Sequence, residues 1–167
     1  GPGIDRPEFG ENMGAMVSEG QRDRAAQMVT DAIAQGANVV TGGHKMNITG
    51  AFLEPTILTG VTSDMTIANE EVFGPALSVL KFKSDDEAIE IANGTPYGLV
   101  AGVFTRDINR ATNAARRLRA GQVFVNEWYA GGVETPFGGY GLSGYGREKG
   151  REALWNYVQT KNVAIKL

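Results

Sequence analysis

Hydrophobic residues return at helical spacing early in the chain. Ala25, Val29, Ala32 and Ile33 share one face of a helix. Ser18-Glu19-Gly20-Gln21 has the S-x-x-Q form of a capping box that would open it, and Gly36 is placed to close it. "ANVVTGG" (37–43) then reads as a short strand and a turn. "FLEPTIL" (52–58) reads as a second extended piece that Pro55 makes an edge or a break. From residue 76 the pattern sharpens. "ALSVLKF" (76–82) predicts a buried strand, Ser84 with Glu87 a second capping box for a helix ending near Gly94, and "GLVAGVFT" (98–105) another strand. Asp107 would cap a third helix with Ile108, Ala111, Ala115 and Leu118 on one face; Gly121 would close it before the strand "QVFVN" (122–126). A last helix over about 147–158 and a C-terminal strand in "VAIKL" (163–167), with Val163, Ile165 and Leu167 on one side, complete the prediction.

Strand, helix, strand, helix, strand over residues 76–126 predicts an α/β fold: a parallel-type sheet with helical, right-handed crossovers. In such sheets ligands collect beyond the carboxyl ends of the strands. The long loop from Asn126 to about Ser143 leaves one such end.

The chain has 167 residues, enough for one domain, and the whole length is read as a single domain. Gly1-Pro2-Gly3, with no Met, reads as a cloning remnant. Net charge is -3, which gives no electrostatic reason to expect nucleic acid or an anionic membrane as partner. No apolar run reaches the roughly 20 residues that span a bilayer, and no signal peptide is visible, so a cytoplasmic location is expected. Cysteine is absent, which excludes disulfides, thiolate metal sites and a cysteine nucleophile within this chain. With a single histidine besides, no metal site is expected.

"PFGGYGLSGYGRE" (136–148) contains a literal G-x-G-x-x-G at Gly139, Gly141 and Gly144. A dinucleotide fingerprint follows its strand directly, opens a helix and has an acid about 20 residues on. Here the preceding strand ends about a dozen residues earlier and no acid follows Glu152; only the helix start fits. The glycines read instead as a turn needing positive φ and close backbone approach. His44 reads as a surface histidine, and Arg106, Arg110, Arg116, Arg117 and Arg119 as a solvated helix face. Glu70-Glu71, by composition a pair of solvated loop acids, stands beside Phe-Gly-Pro just before a buried strand.

Taken together, "NEEVFGPALSVLKF", "ANGTPYGLVAGVFTRD", "GQVFVNEWY" and "TPFGGYGLSGYGREKG" resemble the aldehyde dehydrogenase superfamily, in the family's order, from about Met13 to Leu167. The resemblance implies a partial aldehyde dehydrogenase catalytic domain, its C-terminal portion. It also implies a reaction in the full-length enzyme: a cysteine thiolate adds to an aldehyde, hydride passes to NAD or NADP, and water hydrolyses the thioester to a carboxylic acid. The nucleophile, the general base and the cofactor-binding domain would lie outside this sequence, so the chain alone is expected to be inactive and to hold no cofactor.

The same resemblance assigns residues. Glu71 matches the glutamate that accepts from the nicotinamide ribose hydroxyls, and Phe73 the aromatic beside the nicotinamide. Phe137 matches a substrate-tunnel aromatic, and Trp128 opens the segment 128–134 that lines the aldehyde entrance. Glu148 matches a glutamate proposed to relay protons to the general base; it reads equally as a first-turn acid favoured by a helix dipole. "WYAGGVE" is glycine-rich where relatives often carry bulk, which bears on the width of the substrate pocket. The alternative to an enzyme fragment is a short non-enzymatic module that keeps the fold for oligomerisation or partner binding. A homo-oligomer is expected in either case, because "VAIKL" resembles a strand that pairs between subunits.

Overall fold

The structure, a computed structural model, describes residues 13–128 and 131–167. Residues 1–3, expected from the sequence to be a cloning remnant, and two residues of the expected entrance segment, Tyr129 and Ala130, lie outside the described residues. The chain divides into two compact units, the break falling after Lys81.

In the first unit α1 (Glu19–Ala34) starts where its cap predicts: Ser18 is extended and its Oγ accepts from the Gln21 amide at 3.1 Å. The apolar face then packs on a three-stranded sheet of β1 (Asn38–Thr41), β2 (Thr56–Thr59) and β3 (Ala76–Ser78), ordered β1-β2-β3. β1 and β2 run antiparallel with an irregularity between Val39 and Thr41; β2 and β3 run parallel. Pro55 acts as a break and not as an edge marker, since β2 begins just after it and is the central strand. Val29 and Leu58 are fully buried and join Ala32, Val61, Met65 and Ile67 in one core. Met65 and Ile67 come from α2 (Thr66–Asn69) and its cap, the short turn before the Glu70–Pro75 loop.

In the second unit α3 (Asp85–Asn93) and α4 (Ile108–Arg117) alternate with β4 (Val100–Val103) and β5 (Gln122–Val125). β4 and β5 pair in parallel, with Gly102 opposite Phe124. The local signals hold: Ser84 Oγ accepts from the Glu87 amide, and Asp107 Oδ1 accepts from those of Asn109 and Arg110. The arginine-rich face of α4 is more than solvated. Arg110 grips both carboxylate oxygens of Asp85 and Arg117 reaches Asp86, joining α4 to the start of α3. At the other end the Asn93 side chain donates to the Arg117 carbonyl and accepts from the Arg119 amide.

Three predicted elements differ. The strand expected over 76–82 is hydrogen-bonded as a strand only over Ala76–Ser78, and it joins β2, whereas β4 and β5 form their own sheet. The helix expected over 147–158 is a 3-10 segment, Arg151–Tyr157. Gly144, Gly146, Lys149 and Gly150 all have positive φ, so right-handed helix cannot start earlier. "VAIKL" is not a strand: no strand pairs with it among the described residues, and Val163, Ile165 and Leu167 stand exposed. An alternating pattern forms a strand only where a neighbour supplies hydrogen bonds.

The hydrogen bond from Arg110, and then its charge, hold the Asp85 carboxyl below its ordinary value of 3.8. The folded protein therefore binds that proton less readily than the unfolded chain. The stabilisation is complete above 3.8 and is lost as pH falls from there through the folded value. Asp85→Asn should lower the melting temperature at neutral pH, and the gap to wild type should narrow as pH falls below 3.8. Melting curves followed by circular dichroism across that range check it.

Candidate functional site

The Glu70–Pro75 loop is built from backbone carbonyls that α1 takes up. Gln21 Nε2 donates to the carbonyls of Val72 at 3.0 Å and Phe73 at 3.3 Å. Arg24, one turn further along the same helix, donates through Nη1 to the Glu71 carbonyl at 3.1 Å and meets the Glu70 carboxylate through Nη2 at 3.4 Å. Three consecutive carbonyls are thus satisfied by two side chains. Gly74 lets the loop approach, because a Cβ there would stand 3.0 Å from Met16 Cε and 3.1 Å from Ala25 Cβ.

The clamp has a consequence for the side chains. Phe73 is held at φ 50°, a left-handed conformation that an aromatic residue seldom adopts without outside support, and its ring is 70 % exposed. Glu71 is exposed, and its carboxylate makes no hydrogen bond or ion pair among the described residues. The loop therefore presents, on a backbone held by α1, a carboxylate unpaired among the described residues and an exposed ring. A carboxylate can accept from two neighbouring hydroxyls at once, so this donor-free pair of oxygens suits a ribose diol, and the ring suits a flat heterocycle.

In the second unit, Phe137 and Glu148 are joined as an isolated antiparallel bridge, each amide donating to the other's carbonyl at 2.7 Å. Phe137 is half-buried, and Lys149 Nζ lies 5.5 Å from its ring centre. Glu148 is exposed and stands outside the 3-10 segment, so no helix dipole acts on it from a first turn. Arg147 fastens the same turn: its Nη1 donates to the carbonyls of Gly139 and Gly146, and its guanidinium lies over Tyr140. Trp128 meets Phe124 edge-on, with ring centres 6.3 Å apart.

The G-x-G-x-x-G residues form a turn, as the spacing argument expects. Gly141 has φ 57° and a Cβ on it would lie 2.3 Å from the Pro96 carbonyl oxygen; Gly144 has φ 104°. Even the helix start fails: a 3-10 turn, Gly141–Ser143, lies within the motif, and the segment after it, Arg151–Tyr157, is 3-10 as well.

The non-glycine residues with positive φ among those described are Phe73, Asn126 and Lys149. Each is, or lies within two residues of, a position that the sequence singles out: Phe73 itself, Trp128 and Glu148. Unusual backbone of this kind concentrates where function over-determines it. Sequence reading missed Gln21, Arg24 and Asn126. Gln21 looked like the reciprocal half of a capping box, yet its side chain goes to the loop and not back to Ser18.

A family profile described as "Aldehyde dehydrogenase family" matches residues 4–163. The chain belongs to the aldehyde dehydrogenase family. It is 45 % identical over 159 residues to aldehyde dehydrogenase 1 of Tanacetum cinerariifolium, covering 95 % of this chain and 32 % of that protein. To aldehyde dehydrogenase, cytosolic 1 of Rattus norvegicus it is 41 % identical over 160 residues, covering 96 % and 32 %. The solved indole-3-acetaldehyde dehydrogenase AldA of P. syringae, a mutant in complex with NAD+ and IAA, superposes with a TM-score of 0.88 at 44 % identity, covering 93 % of this chain and 32 % of that one. The chain thus spans about a third of the length of the relatives it matches. The partial aldehyde dehydrogenase fold expected from the motifs is present, an α/β structure with parallel strand pairs.

Gln21→Leu removes both hydrogen bonds to the loop while leaving the Ser18 cap in place. Each such bond contributes about 1 kcal/mol. Amides of residues 70–74 and of Ala76 should exchange hydrogen at least tenfold faster than in wild type, with those of α1 little changed, in a hydrogen-exchange mass spectrometry time course.

Proposed function

We propose that this chain is the C-terminal catalytic-domain portion of an NAD- or NADP-dependent aldehyde dehydrogenase, an oxidoreductase that converts an aldehyde to a carboxylic acid. The observation that carries the reading is the loop whose carbonyls α1 clamps, leaving the Glu71 carboxylate unpaired beside the exposed ring of Phe73. Glu71 would accept from the hydroxyls of the nicotinamide ribose and Phe73 would pack against the nicotinamide. When bound, the nicotinamide supplies the acceptor for the hydride that leaves the aldehyde carbon. The chain's own contribution is positioning: a mounted carboxylate and a ring fixed by backbone conformation restrict where a cofactor can sit. The NAD+ named with AldA supports NAD as one cofactor.

The other residues take supporting parts. Trp128 and Phe137 offer apolar surface to the aldehyde. Glu148 would pass a proton at its carboxylate to a base outside this chain, and its exposure leaves that carboxylate open to a partner group. No cysteine stands in the sequence, so the thiolate step needs a residue from elsewhere and the chain by itself should not oxidise an aldehyde. The name of the rat relative supports a cytoplasmic location. The unpaired, alternating Val163, Ile165 and Leu167 support a homo-oligomer, because exposed apolar strand-like segments are templates for another chain. Light scattering after size exclusion should give at least a dimer mass; a monomer mass would contradict this part of the reading.

The test of the function uses the full-length enzyme carrying these residues. Glu71→Gln keeps the size and one acceptor but loses the charge. Single-turnover formation of reduced cofactor should slow about tenfold to a hundredfold while aldehyde affinity stays within about twofold. A hydride step as fast as in wild type would return Glu71 to the solvated loop acids.

A further inference from the structure

Gly102 lies inside β4, where glycine is otherwise a poor choice, since it forgoes side-chain packing and costs backbone entropy. Its φ is not in the left-handed range, so the backbone does not require it. What it leaves is space, and Trp128 takes it. A Cβ built on Gly102 would stand 3.1 Å from Trp128 Cζ3 and 3.2 Å from Cε3. The cross-strand neighbour on the same face is Phe124, whose ring meets the indole edge-on. The indole therefore rests on bare strand backbone, propped from the side by a buried phenylalanine.

The direction of arrival is fixed as well. Asn126 follows β5 directly, and its φ of 59° turns the chain out of the strand. Its amide donates to the Val103 carbonyl at 2.8 Å. Its side-chain Oδ1 accepts from the Thr105 amide at 2.8 Å, and Nδ2 donates to the Thr105 carbonyl at 2.9 Å. Both backbone groups of Thr105, two residues beyond β4, are thus taken by one side chain, which locks the chain leaving one strand to the end of the other. Asparagine is among the few residues that tolerate this backbone conformation and can also make both bonds. Two residues later the indole lies over Gly102. At 66 % exposure it is no core residue: one part is seated and the rest is presented outward.

We propose that Gly102 is a specificity-determining position, which sets how deep the Trp128 indole sits and so how large an aldehyde is admitted, with Asn126 as the positioning residue that aims the indole. The inference rests on the reading that Trp128 faces the aldehyde. A methyl group at position 102 must push the ring outward by a few tenths of an ångström, because the ring already stands closer than an ordinary Cβ contact allows. Outward is where the substrate would pass, so bulky aldehydes lose and compact ones do not. A methylene-sized change in an apolar pocket shifts discrimination by about tenfold or more, so a partial displacement should shift it by about fivefold.

The experiment measures kcat/KM of the full-length enzyme for phenylacetaldehyde and for acetaldehyde. In Gly102→Ala the ratio of the two should fall about fivefold, with acetaldehyde nearly unchanged. Trp128→Phe alone should move the ratio the other way, and adding it to Gly102→Ala should restore the wild-type ratio, since the smaller ring makes room for the methyl. The rescue separates the seat from a general disturbance of the sheet. A ratio unchanged in an active Gly102→Ala enzyme, or a fall that Trp128→Phe does not reverse, overturns the inference while leaving the dehydrogenase reading intact. A wild-type enzyme that reduces no cofactor with any aldehyde overturns the dehydrogenase reading, and the inference with it.

Discussion

The geometry of the candidate cofactor loop depends on where three carbonyls go. The carbonyls of Glu71, Val72 and Phe73 each accept from a side chain of α1, and the bond to Val72 is partly buried, where losing it would cost free energy. Gln21 and Arg24, a helical turn apart on α1, take all three. That arrangement exists only because α1 is held against the sheet by Val29, Ala32 and Leu58, and because Ala25 and Gly74 leave room for close approach. Core packing therefore reaches the site through hydrogen bonds to backbone, and no side chain among the described residues pairs with the Glu71 carboxylate.

The second unit solves a similar problem with strand ends. Asn126 joins the exits of β4 and β5, Arg147 gathers the carbonyls of the glycine turn, and a two-bond bridge ties Phe137 to Glu148. In each case a polar group binds main chain, so the side chains of functional interest are left facing outward. Apolar packing alone is non-directional and could not aim them.

Features decided by neighbouring residues were legible in the sequence. The caps at Ser18, Ser84 and Asp107 form as their spacing implies, since a capping side chain and its amide lie within three residues. The β4–β5 pairing followed from the helical crossover between two apolar runs. Features decided by distant partners were not. The Gln21 side chain bonds a loop 51 residues away, and no local pattern announces that. "VAIKL" alternates like a strand but lacks a neighbour, and the run of positive φ before Arg151 overrode the helical signal from 147. At the site, the chemistry of Glu71 and Phe73 came from motif resemblance, whereas the strained backbone at Phe73 and the role of glycine at 102 became visible only in three dimensions. The G-x-G-x-x-G was legible as a turn from its spacing alone, and the positive φ of Gly141 and Gly144 agrees with that reading.

We propose that α1 holds the Glu71–Phe73 loop as a nicotinamide ribose site, and a crystal structure of the full-length enzyme with NAD+ is the decisive measurement. Density for the nicotinamide ribose should place at least one hydroxyl within hydrogen-bond distance of the Glu71 carboxylate, with Gln21 still donating to the carbonyls of Val72 and Phe73. A nicotinamide ribose bound away from Glu71, with that carboxylate left in solvent, would contradict it.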